Sequence, residues 1–202
     1  MSTLRTAAIR LAYENPELRP VLLPLLVESG GTKRQAAKFP TDLTPYGVTA
    51  AELAAFKNKM QSTLQETVQA FPPPSVFGTT ALSGFSGKPG EWGVLESMRP
   101  NAAIGVFYYI SLPPQFGSKA RVVSHTMITA MEPATPYKKE VKPYWYISVY
   151  PDYITEPTAK ARLYGILKGP KTFNAPVADY SVALQRIDAI KPLLLAAAKS
   201  IS

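Results

Sequence analysis

The stretch Tyr144-Trp145-Tyr146-Ile147-Ser148-Val149-Tyr150 decides the fold class. Side chains alternate across a strand, so Trp145, Ile147 and Val149 share one face and Tyr144, Tyr146, Ser148 and Tyr150 the other. The first face is a core face; the second is amphipathic and rich in tyrosine. Two more segments, Ala103 to Leu112 and Arg121 to Met131, have the same β-branched and aromatic content and read as strands. In Lys160 to Lys168, Gly165 and the closing Gly169-Pro170 favour a fourth strand over a helix.

Helices bracket these strands. Thr49-Ala50-Ala51-Glu52 is a capping box, and Leu53, Phe56, Met60, Leu64 and Val68 keep helical spacing up to Phe71-Pro72-Pro73-Pro74, where proline ends the helix. A second helix is predicted from about Pro176 to Ser200, kinked at Pro192, with Tyr180, Leu184, Ile187, Leu194 and Ala198 near one face. Ser75 to Pro100, rich in Gly, Ser, Thr and Pro, reads as a long loop with room for a short strand. Strands grouped between helices predict an α+β fold: an N-terminal helical hairpin, one long helix, an antiparallel sheet of three to four strands and a C-terminal helix.

The first 28 residues read as a separate element. Leu4, Ala7, Ala8, Leu11 and Ala12 mark one helical face, and Asn15-Pro16 stops that helix and caps the next. Pro16, Pro20 and Pro24 then recur every four residues, and each interior proline costs a helix roughly 3 kcal/mol. Leu18, Leu22, Leu25 and Leu26 therefore form a kinked apolar strip that needs a partner surface, either the chain's own core or another subunit. The expected organisation is a leader or docking segment over 1–28, a polar linker over 29–48 and an α+β domain over 49–202.

Leu4 to Leu26 resembles N-terminal segments that head otherwise dissimilar virion or assembly proteins of tailed bacteriophages. That resemblance implies a phage particle or assembly protein and brings no catalytic residues with it. It also makes Leu26-Val27-Glu28, before Ser29-Gly30-Gly31, a candidate processing site at Glu28, although Leu64-Gln65-Glu66 has the same form inside a predicted helix.

A secretory signal is excluded by Glu14, Glu17 and the interrupting prolines, and the leucine strip is far below the roughly 20 apolar residues of a membrane span. The 202 residues suit one domain with an appended arm, and the absence of cysteine removes disulfides, thiolate nucleophiles and thiolate metal ligands. Of the net charge of +8, most lies after residue 100, interleaved with tyrosines: Lys138, Lys139 and Lys142 stand just ahead of Tyr144. A tyrosine-lined sheet face edged with lysines suits either a protein interface or stacking of single-stranded bases.

Catalytic patterns fail on their mechanics. Gly78 to Pro89 is glycine-rich, but Leu82 and Pro89 occupy the places where a phosphate loop needs Gly and Ser or Thr. Tyr164-Gly165-Ile166-Leu167-Lys168 has the Tyr-x-x-x-Lys spacing of short-chain dehydrogenases without the glycine fingerprint of a dinucleotide fold. Ser124 and His125 point to opposite faces of one strand and cannot act as nucleophile and base; His125 reads as a partly buried, hydrogen-bonded histidine. Asp152 and Glu156 lack an identifiable second group for carboxylate-pair catalysis.

The sequence thus predicts a non-enzymatic structural or interaction protein, a bacteriophage virion or assembly component found in the virion or host cytoplasm. Its partners are other protein subunits, without cofactor, metal, membrane or small-molecule substrate. Docking falls to Leu18, Leu22, Leu25 and Leu26, and to the face of Tyr144, Tyr146 and Tyr150 with Lys138, Lys139 and Lys142. The alternative is a basic nucleic-acid-binding module that uses the same tyrosine face.

Overall fold

A computed structural model describes residues 38–80, 85–95, 103–136, 139–168 and 176–202. The chain divides into two compact units, Met1–Ala37 and Lys38–Ser202. The expected N-terminal helical hairpin, with Leu18, Leu22, Leu25, Leu26 and Glu28, lies outside the described residues, as does Lys138.

The second unit is α+β. After a 3-10 turn at Thr44–Tyr46 come helix α1 (Ala50–Thr67), strands β1 (Val76–Thr79), β2 (Phe85–Ser86), β3 (Gly93–Leu95), β4 (Ala103–Ser111), β5 (Arg121–Thr129) and β6 (Trp145–Asp152), then helices α2 (Pro157–Leu167) and α3 (Tyr180–Ile201). All pairings are antiparallel along the path β2-β3-β4-β5-β6, and β1 shares the outer edge of β4 with β3. The sheet is thus larger than the three to four strands expected. The additions are the short β1, β2 and β3 in the stretch read as loop, which are too brief to show a period.

Alternation gives the sheet a core face. Ile104, Val106, Tyr108 and Ile110 of β4, Val122 and Ile128 of β5, and Trp145, Ile147 and Val149 of β6 join every buried apolar side chain of the three helices in one cluster. Trp145 packs its ring 4.7 Å from Phe56, 5.8 Å from Tyr180 and 6.2 Å from Trp92. On the same face, the Ser124 hydroxyl donates to Met60 Sδ at 3.3 Å. Lys59–Asp188 and Lys191–Glu66 tie α1 to α3 at the surface, pairs worth at most about 1 kcal/mol each.

Helix α1 starts as predicted: Thr49 accepts from the Glu52 amide while the Glu52 carboxylate accepts from the Thr49 amide. Helix α3 starts at Tyr180 rather than Pro176, because the Asp179 carboxylate caps it by accepting from the Ser181 amide at 2.7 Å. It contains Pro192 and runs on to Ile201.

Two expectations are corrected. Lys160–Lys168 is helical, not a strand: Glu156 caps the amides of Thr158 and Ala159, Pro157 occupies the first turn, and Leu163 and Leu167 are buried one turn apart. Gly165 faces open space on the solvent side, and the helix ends at Leu167 with Lys168 as its C-cap. The linker 29–48 is also too long, since Tyr46 and Val48 are buried in the core and Leu43 packs against it. Three apolar side chains spaced among polar ones gave no periodic sign of this.

Candidate functional site

The other face of the sheet is built in rows by strand register. One row runs Gly78, Tyr109, Val123, Tyr150; the next Phe107, His125, Ser148; the next Gly105, Met127, Tyr146. Phe107 and Val123 are 3% and 2% exposed yet stand outside the cluster shared with the helices. Gly78 makes room for its neighbour, because a Cβ there would come within 2.3 Å of the Tyr109 ring. At the end of the face, Arg121 donates from Nε and Nη2 to one oxygen of Asp152, at 2.9 and 2.7 Å. Its guanidinium also lies 5.7 and 5.2 Å from the ring centres of Tyr109 and Tyr153.

His125 sits at the centre of this face. Its ring is 4.3 Å from Phe107 and edge-on to Tyr146 at 5.9 Å. Burial pushes its pKa down to about 4, so it is neutral at pH 7. It is partly buried, as expected, and its buried Nε2 has no hydrogen-bond partner among the described residues. Ser124 does point to the opposite face.

Between this face and α2 lies a cleft of about 500 Å³, a size within the range of small-ligand pockets. His125, Tyr146, Ser148, Tyr150, Tyr164 and Lys168 line it, with no carboxylate among the lining residues. Burial, and secondarily the Asp152 carboxylate, raises the Tyr150 pKa above the ordinary phenol value, so its hydroxyl stays protonated. No protein-family model, curated protein or solved structure matches this chain.

The cleft unites only part of the predicted site. Tyr146 and Tyr150 line it, both half-buried. Tyr144 instead pairs its backbone with Thr129 at the head of β6, and Lys139 and Lys142 are exposed on the loop between β5 and β6. Ser148, His125, Tyr164 and Lys168 were not assigned to a site. The signal for the last two was the Tyr-x-x-x-Lys spacing: on a helix it places both on one face, one turn apart, and both reach the cleft.

Among the described residues, no cluster of three or more His, Asp or Glu could hold a metal ion. No helix among them is long and apolar enough to cross a membrane.

Proposed function

We propose that the protein is a non-enzymatic structural or interaction protein, a bacteriophage virion or assembly component that docks on other subunits. The observation that carries this reading is the aromatic second face of the sheet. Tyr109, Met127, Tyr146 and Tyr150 are half-buried there, while the buried apolar side chains of all three helices belong to the opposite face. Tyrosine, methionine and arginine are the side chains enriched at protein interfaces, and Arg121 closes one end of this surface. The phage context comes from the resemblance of Leu4 to Leu26, and the leucine strip is the second docking element in this reading.

Density-gradient fractionation of a lysate from the phage-producing host, with immunodetection of the chain, tests the proposal. The protein should peak with particles or their assembly intermediates, and Tyr146→Glu should lower the particle-bound share at least fivefold. A chain beginning at Lys38 should still unfold cooperatively but lose particle association. Wild-type protein remaining wholly in the light, particle-free fractions contradicts the reading.

A further inference from the structure

We infer that the cleft between β6 and α2 is a binding site for a nucleotide unit, a flat base carrying a negatively charged phosphate. This goes beyond docking: the cleft shares Tyr146 and Tyr150 with the docking face, but binding by the isolated chain is tested apart from particle association. The first support is the lining: Tyr146, Tyr150 and Tyr164 bring three aromatic rings to one concavity of about 500 Å³, room for a base and its sugar. Base–aromatic stacking needs only such faces and is indifferent to sequence.

The second support is charge. His125 is neutral, so Lys168 is the charged group among the lining residues, and no carboxylate there opposes an anion. Helical spacing extends this charge along the rim. Lys160, Tyr164 and Lys168 follow one another at intervals of four on α2, all exposed, so a lysine stands one turn to either side of the tyrosine. The two lysines are about 12 Å apart along the helix axis, so the charge of the rim extends to both sides of a base lying at Tyr164. The exposure of Tyr164, at 46%, is notable for a ring on a helix whose apolar positions Leu163 and Leu167 are otherwise fully buried.

A free mononucleotide and one unit of a single strand share this chemistry. An acidic, aromatic peptide is a different partner. Its binding alone is an outcome that counts against the inference.

The test is fluorescence anisotropy of the full chain with labelled dT10 at about 0.1 M salt, with AMP and a glutamate–tyrosine copolymer as competitors. Saturable dT10 binding is expected. Tyr164→Ala should weaken it at least tenfold and Tyr164→Phe, which keeps the ring, less than threefold. Lys168→Gln should weaken it and flatten the slope of log affinity against log salt by about 0.7, the value for one phosphate contact on a single strand. Lys119→Gln, which removes the same charge from the exposed β4–β5 loop, should leave binding unchanged. Thermal melts of each variant establish that the fold is kept.

Competition by AMP as effective per nucleotide as dT10 assigns the site to free nucleotides. Much weaker competition assigns it to a strand; either result supports the inference. It is overturned if neither dT10 nor AMP binds at 100 µM protein, if Tyr164→Ala acts no more strongly than Lys119→Gln, or if only the copolymer binds in a Tyr164-dependent way.

Discussion

Replacing Trp145 by alanine should destabilise the protein by roughly 3–5 kcal/mol, the range for removing a large buried aromatic side chain. Trp145 is 2% exposed and touches rings from α1, from α3 and from the segment before β3, so its loss opens a cavity where three elements meet. Its backbone pairing with Val177, at 2.6 and 2.9 Å, would persist, which confines the effect to packing. Tyr146, the next residue, points to the other face and is half-buried, so Tyr146→Ala should cost only about 1–2 kcal/mol. Urea titrations of the two variants measure the difference, and equal losses would overturn the assignment of faces.

The second large effect is acid lability centred on one side chain. His125 has an ordinary pKa of about 6.5 in the unfolded chain and about 4 in the fold, because burial penalises its charged form. Above pH 6.5 both states are neutral there and the full stability is present. As pH falls from 6.5 toward 4 the unfolded chain takes up a proton that the folded chain refuses, and stability drops by a total of about 3 kcal/mol. The carboxylates of Asp42, which accepts from the Thr44 amide, and of the helix caps Glu156 and Asp179 are each held below their ordinary values by hydrogen bonds, so their loss comes at lower pH. Equilibrium unfolding at pH 7, 6 and 5 should show the decline in the wild type. In His125→Phe, which keeps a ring against Phe107 and cannot be protonated, stability should be nearly flat; the same decline in both proteins would remove His125 as the cause.

The parts of this fold legible in the sequence are those with a long, regular period. The alternation over Tyr144 to Tyr150 identified both the core face and the tyrosine face, and the Thr49–Glu52 box with apolar residues at helical spacing identified α1. Over α2 the local signals conflict: Gly165 and Gly169-Pro170 favour a strand, while the capping by Glu156 and the Leu163–Leu167 spacing favour the helix that forms. Strands of two to four residues such as β1, β2 and β3 are created by pairing with β4 or with each other, and carry no period of their own.

The cleft was illegible for a different reason. It brings together His125 of β5, Tyr146, Ser148 and Tyr150 of β6, Tyr164 of α2 and its C-cap Lys168, and that juxtaposition is tertiary. Even the visible Tyr164–Lys168 spacing changes meaning with the element. Four residues span about 13 Å along a strand but about 6 Å along a helix.

The proposal that the protein works by docking through the second face of its sheet is tested most directly by hydroxyl-radical footprinting, comparing the free chain with the chain in the particle fractions that this proposal predicts. Tyr146, Tyr150 and Met127 should lose most of their oxidation on binding, while Val182 and Leu195, exposed at 38% and 42% on α3, should keep theirs. Protection of Val182 and Leu195 with Tyr146, Tyr150 and Met127 unchanged would place the interface on the helices and contradict the account.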